Sequence, residues 1–234
     1  MSPGGSAVPV AVLASGGGTT LQALLDREAR QPWRVALVIS DKDSAGALDR
    51  ARAAGRQALV VPVSGRPPDE IATETLDHFA AHAIGMVLLA GYLKLVPAQV
   101  VDSYEDRLLN VHPALLPAFG GAGMYGDRVH KAVLKSGVRV TGPTVHFVTR
   151  VYDEGRPLAQ WPVPVLQDDT VDSLKARVQR VERVLYPMAA THLAGAILRS
   201  DPPTPLRFLG QHYGLHELPD DDESLETLIR KTLK

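Results

Sequence analysis

Apolar runs of strand length alternate with amphipathic stretches of helix length through the first half of the chain, and this pattern most narrows the folds open to it. Residues 8–14, 35–39, 58–63 and 86–90 are continuously apolar, and helix-like segments fall at 21–26, 45–54 and 71–83. A strand apolar on both faces is buried on both, and helices between such strands supply right-handed crossovers. The pattern predicts an α/β chain with a doubly wound, mostly parallel sheet flanked by helices.

Further along, residues 107–111 read as another strand and 128–135 as a helix. Residues 138–148 form a long β segment interrupted by Gly142-Pro143, with 157–165 as its antiparallel partner, which places a β-hairpin near the carboxyl-terminal half. From Val171 the residues Leu174, Val178, Val181, Leu185 and Met188 recur at steps of three and four, the stripe of a helix lying on a sheet. Pro187 is expected to kink or divide that helix. The organisation expected is a flexible tail at 1–6, one large α/β domain at 7–198, and an appendage at 199–234. That appendage packs on the same domain and closes with a short helix near 225–233.

The 234 residues carry 25 basic and 26 acidic side chains, so no global field recommends a nucleic acid or an anionic membrane as partner. An anionic ligand must be caught locally. The absence of cysteine removes disulfides, thiolate zinc sites and a cysteine nucleophile. The first residues lack a basic region and lead into an apolar run too short to span a bilayer, which reads as a cytoplasmic protein.

Two places carry chemistry. Ser15-Gly16-Gly17-Gly18-Thr19-Thr20 follows the first strand and opens the first helix, so backbone N–H groups can face an anion there. The turn lacks the Lys of a P-loop and the spacing of the dinucleotide fingerprint, which leaves a mononucleotide or sugar monophosphate, or a plain turn capped by Thr19 or Thr20. The second place is Asn110-Val111-His112-Pro113 at the end of a strand, with Asp153 beyond a later one. Alternate residues of a strand share a face, so Asn110 and His112 project together from the edge where α/β sheets bind ligands. An amide, an imidazole and a carboxylate meeting in one cleft could hold an oxyanion and move protons without a metal or a covalent nucleophile. Each residue alone also has a structural reading: His112 bonded to backbone, Asp153 in an acidic turn, Asn110 as a strand-end cap. His146, inside an apolar strand, reads as a satisfied structural histidine, and His130 as a residue of a solvated or pocket-rim helix. The two His-x-x-x-His pairs, His78/His82 and His212/His216, both lack the Glu that follows the first His in the His-Glu-x-x-His zinc motif, and no Gly-x-Ser-x-Gly elbow is present, which disfavours a zinc hydrolase and a serine hydrolase.

Five segments together resemble the glycinamide ribonucleotide formyltransferase family. They are residues 13–22 through the glycine turn, 89–95 (Leu-Ala-Gly-Tyr-Leu-Lys-Leu), 108–117, 140–142 with 145–149, and 176–187. The resemblance covers about residues 7–198 and implies transfer of a formyl group from 10-formyltetrahydrofolate to the amine of 5'-phosphoribosylglycinamide in de novo purine (IMP) biosynthesis. It implies Asn110, His112 and Asp153 as the catalytic set. Gly18, Thr19 and Thr20 would hold the ribonucleotide phosphate, with Gln179 nearby and Glu182 on the ribose hydroxyls. Leu93, Lys94, Leu95, Val96, Asn110, Thr149 and Asp153 would form the folate site. 10-Formyltetrahydrofolate enters as formyl-donor co-substrate and no metal is implied. The partners implied are two small molecules, without nucleic acid or membrane, and the protein is a monomer or homodimer.

Three departures from the family pattern stand out: Thr19-Thr20 where Ser-Asn is common, the loop Ala118-Phe119-Gly120-Gly121 continuing through Met124-Tyr125-Gly126, and Gly155-Arg156 where Gly-Pro is expected. A formyltetrahydrofolate hydrolase and a catalytically idle folate- or ribonucleotide-binding protein are the alternatives. Methionyl-tRNA formyltransferase shares the core, but the basic tRNA surface and additional carboxyl-terminal domain that it needs are not evident.

Overall fold

The computed structural model describes residues 7–206 and 218–233. The expected tail at 1–6 lies outside them. The chain divides into two compact units, Met1–Asn110 with Ala190–Pro203, and Val111–Ala189 with Thr204–Lys234.

The first unit is built on five parallel strands in the order β3-β2-β1-β4-β5. They are β1 (Val8–Leu13), β2 (Trp33–Ser40), β3 (Gln57–Val60), β4 (Met86–Leu89) and β5 (Leu108–His112), whose last two residues belong to the second unit. Four helices connect them: α1 (Thr19–Arg27), α2 (Gly46–Ala53), α3 (Pro68–Ala81) and α4 (Ala98–Ser103). The chain winds outward from β1 through β2 to β3, then returns to β4 beside β1. Right-handed crossovers in the two directions place helices on both faces, the doubly wound arrangement expected from the sequence.

The continuous apolar runs account for this core. Val10, Val12, Leu37, Val38, Met86, Val87 and Leu88 are fully buried. Leu21 and Leu24 of α1, Leu48 of α2 and Phe79 of α3 are buried as completely. Pro9 is tolerated in the central strand because pairing of β1 with β4 begins only at Val10↔Met86. The helix α4 has six residues, too few for a periodic signal, and only Pro97 at its N-cap announced it. Among the described residues no helix is long and apolar enough to cross a membrane.

The second unit contains two antiparallel pairs. β7 (Thr144–Phe147) pairs with β8 (Pro157–Gln160), and β6 (Val140–Thr141) with β9 (Val163–Pro164). The predicted hairpin is therefore present, and its break falls at Gly142-Pro143. Gly142 stands at φ 141°, and a Cβ there would lie 1.9 Å from the Trp161 carbonyl oxygen.

The helix α5 (Asp127–Ser136) precedes these strands and α6 (Val171–Arg199) follows them. α6 is not divided at Pro187; it continues for twelve further residues to Arg199, carrying the chain from the second unit into the first. One proline removes one hydrogen bond, and Tyr186, Ala189 and Ala190 around it are fully buried, so packing holds the helix through the gap. Asp169 accepts a bidentate pair from Arg177 at 2.7 and 2.8 Å, and Arg177 also donates to the Pro164 carbonyl at 3.1 Å. This fastens the first turns of α6 to β9.

Near the end, α7 (Asp222–Thr232) is capped by Asp221, which accepts from the Ser224 N–H at 2.7 Å. Arg180 of α6 donates to the Pro219 and Asp220 carbonyls and to Asp222. These bonds tie the last segment to α6 inside the second unit.

Candidate active site

Three strand ends stand side by side at the carboxyl edge of the first unit. Leu13 pairs with Leu89 and Leu89 with Asn110, so β1, β4 and β5 finish level with one another. Adjacent strands lie about 4.8 Å apart, which brings the segments leaving β1 and β4 within one ligand's length of Asn110. The strand order reverses between β1 and β4, the place at which open α/β sheets in general offer a crevice to ligands.

Ser15 fastens two of the predicted segments together. It is buried, its N–H donates to the Gly91 carbonyl at 3.1 Å, and its Oγ accepts from the Leu93 N–H at 3.0 Å. The glycine turn and the loop carrying Leu93, Lys94, Leu95 and Val96 are thus joined at their bases. Val96 is buried, whereas Leu93 and Leu95 are each 48% exposed, an apolar pair on the loop that follows β4. The N-cap of α1 is Gly18 in the left-handed region, not Thr19 or Thr20, and no side chain caps the helix. Among the described residues no acceptor meets the N–H groups of Gly17, Gly18, Thr19 and Thr20.

In the second unit, Asp153 sits at φ 57° between β7 and β8 and gathers three partners. His112 Nδ1 lies 3.4 Å from its Oδ2, His146 Nε2 lies 3.5 Å from its Oδ1, and the Gly121 N–H donates to Oδ2 at 2.9 Å. Burial pushes the Asp153 carboxyl up, but the two histidines and the Gly121 N–H together outweigh it and hold the group below the ordinary carboxylate range. His112 is buried, and its Nε2–H donates to the Phe119 carbonyl at 2.9 Å. Burial lowers the His112 pKa, against the opposing pull of Asp153 and the Phe119 carbonyl. Both ring nitrogens face acceptors, so the geometry suits an imidazolium while burial disfavours one in the resting state.

Asn110 precedes His112 by two residues on the same strand, so the two share a face of β5. A cleft of about 540 Å³ opens beside Asp153, lined by Leu116, Pro117, Gly120, Gly121, Tyr152 and Arg156 among others.

The remaining expected residues fall as follows. Thr149 is exposed and spends its hydroxyl on its own turn, donating to the Val151 carbonyl at 3.0 Å; it does not line that cleft. Gln179 and Glu182 lie one turn apart on α6, Gln179 half-buried and Glu182 buried. His130 is not on a solvated helix face: it is 2% exposed on the inner side of α5, and burial drives its pKa down to about 4. His146 has a second role beyond the structural one. Its Nδ1–H donates to the Phe147 carbonyl at 2.9 Å, and its other nitrogen faces Asp153. The signal available in the sequence was the alternation of β7, which puts Thr144 and His146 on one face. Among the described residues, no group of three or more His, Cys, Asp and Glu side chains is placed to hold a metal ion.

Burial pushes the Glu182 carboxyl up to about 7, with Arg183 pulling it back only in part. A carboxyl raised in the folded state contributes stability below its unfolded pKa of about 4.3 and loses it as pH rises through the folded value. The stability of the wild type should therefore fall between about pH 4.3 and 7, and Glu182→Gln should lack that decline. Urea midpoints measured from pH 4 to 8 check this; parallel curves for the two proteins would show that the carboxyl is not raised.

The formyl transferase family model matches residues 8–190. The chain belongs to the formyl transferase family. It is 44% identical over 181 residues to a chloroplastic phosphoribosylglycinamide formyltransferase of Arabidopsis thaliana, covering 76% of this chain and 62% of that one. The chain thus spans less than two thirds of the length of this plant relative. It is 35% identical over 193 residues to phosphoribosylglycinamide formyltransferase of Escherichia coli (strain K12), covering 81% of this chain and 89% of that protein. A crystal structure of glycinamide ribonucleotide transformylase 1 from Symbiobacterium toebii superposes with a TM-score of 0.75 at 41% identity, covering 81% of this chain and 89% of that one. The family match over residues 8–190 of this formyl transferase takes in both segments that the sequence marked for chemistry, the glycine turn and the strand bearing Asn110 and His112.

Proposed function

We propose that this formyl transferase carries the formyl group of 10-formyltetrahydrofolate to the amine of 5'-phosphoribosylglycinamide, a step of de novo purine (IMP) biosynthesis, as a cytoplasmic monomer or homodimer. The observation that carries the reading is the buried His112–Asp153 pair, with Asn110 two residues earlier on β5. The amine attacks the formyl carbon, the carbonyl becomes an oxyanion, and the carbon then parts from the folate nitrogen as the amine proton passes to that nitrogen. The Asn110 amide donates to the oxyanion. In the resting site His112 Nε2 is spent on the Phe119 carbonyl, so His112 joins Asn110 as a donor only when the segment around Phe119 gives way to substrate. Asp153 orients the imidazole, balances its charge when protonated and relays the proton directly or through water.

The other roles follow the crevice. Gly18, Thr19 and Thr20 present N–H groups to the ribonucleotide phosphate, with Gln179 near it and Glu182 on the ribose hydroxyls. Leu93, Lys94, Leu95, Val96, Asn110, Thr149 and Asp153 form the folate site, the 93–96 backbone meeting the pterin. Holding both substrates in attack geometry contributes several kcal/mol on its own.

Purified protein should convert 10-formyltetrahydrofolate to tetrahydrofolate only when the ribonucleotide is present. Formate release without it would instead mark a hydrolase, and tight binding without turnover an idle binding protein. Asn110→Ala and His112→Ala should each lower kcat about 100-fold or more. Near-normal turnover in both would overturn the mechanism.

A further inference from the structure

A turn that offers N–H groups to an anion must keep its carbonyl oxygens away from it, because their dipole has the opposite sign. In the glycine turn all three carbonyls are already engaged. Gly16 O accepts from the Ala47 N–H at 3.1 Å, Gly17 O from Arg50 Nε–H at 2.8 Å, and Gly18 O from the Gln22 N–H at 2.8 Å. The first two donors belong to α2. Arg50 also donates through Nη1 to Gln22 Oε1 at 3.0 Å, clamping α1 to α2 across the turn.

The C=O and N–H of one trans peptide point in opposite directions. Fixing the Gly17 carbonyl toward Arg50 therefore aims the Gly18 N–H away from α2, and Ala47 does the same for the Gly17 N–H. No slack remains between the two segments: Gly18 has φ 77°, and a Cβ on it would stand 2.7 Å from Ala47 Cα. Only one of the two α2 bonds comes from a side chain.

We propose that Arg50 is a positioning residue for phosphate recognition, holding the Gly17 carbonyl against α2 so that the Gly18 N–H faces the substrate phosphate. The inference rests on the phosphoribosylglycinamide reading given above. Arg50 acts here as a hydrogen-bond donor to the backbone, and its charge is secondary.

Steady-state kinetics of the full chain tests this with two variants. Arg50→Met keeps the length of the stem and removes every donor, whereas Arg50→Gln places an amide nitrogen where Nε stands and restores the donor without the charge. Arg50→Met should raise KM for the ribonucleotide about tenfold, the upper end of one net hydrogen bond. Its kcat should stay within about twofold, and KM for the formyl-folate should not move. Arg50→Gln should recover most of the loss, and with dephosphorylated glycinamide riboside the wild type and Arg50→Met should be indistinguishable. An unchanged KM in Arg50→Met overturns the proposal, as does an Arg50→Gln no better than Arg50→Met or an equal loss on the riboside. A wild type that transfers no formyl group would sink the earlier reading; an active wild type indifferent to Arg50→Met would sink this inference alone.

Discussion

Asp153→Asn should lower kcat by roughly a thousandfold while leaving the fold intact, within the range for loss of a proton-transfer partner and on the order of 4 kcal/mol of barrier. The substitution isolates charge from shape. Asp153 sits at φ 57°, and asparagine is among the few residues that accept the left-handed region, so the turn between β7 and β8 is not strained. An amide oxygen can still accept from the Gly121 N–H, as Oδ2 does now at 2.9 Å. What disappears is the negative charge between His112 and His146. A protonated His112 then has no counter-ion in a buried site, and burial already holds its pKa down. Single-turnover measurement of formyl transfer, with a thermal transition recorded alongside, checks both halves of the expectation. A rate within tenfold of wild type would remove Asp153 from the reaction.

Much of the scaffold around this carboxylate was legible before any geometry was known. The apolar runs of β1, β2 and β4 are uninterrupted because both faces are buried, and uninterrupted runs are the signature of a parallel sheet. Asn110 and His112 were legible as a pair because strand alternation is local and needs no tertiary information. The meeting of His112 with Asp153 was not. It depends on Asp153 and Phe119 both adopting positive φ, near 57°, which no side-chain pattern announces in residues other than glycine. His130 was misplaced for a related reason: the charged residues Arg128 and Lys131 beside it suggested a solvated face, while Val129 and Val133 turn the same side of α5 inward with it. Pro187 shows a third limit, since propensity describes a helix in isolation and the burial around residues 186–190 overrides it. The sorting of the glycine-turn carbonyls by α2 was beyond reach too, because Ala47, through its N–H, and Arg50, through its side chain, carry no motif and meet the turn only once α2 lies beside it.

Gly155→Ala should destabilise the protein by about 3 kcal/mol or more, at the upper end of what inserting a single methyl costs. The added Cβ would lie 1.6 Å from the Phe147 carbonyl oxygen and 2.7 Å from its carbon, both backbone atoms that no rotamer change can move. Phe147 also receives the chain on its other side, since its N–H donates to the Arg156 carbonyl at 3.1 Å. Relief therefore requires β7 and the segment entering β8 to separate, against the pairing of Val145 with Ala159 and His146 with Pro157. That separation moves Asp153, two residues away, off the carboxyl position that His112 and His146 share, so activity should fall together with stability. Gly16→Ala provides the contrast: its methyl would meet nothing within 4 Å, and stability should stay within about 0.5 kcal/mol of wild type. Urea denaturation of both variants gives the comparison. A Gly155→Ala protein as stable as Gly16→Ala would mean that the two backbone segments are not in contact, and the turn that presents Asp153 would then owe its conformation to something other than this close approach.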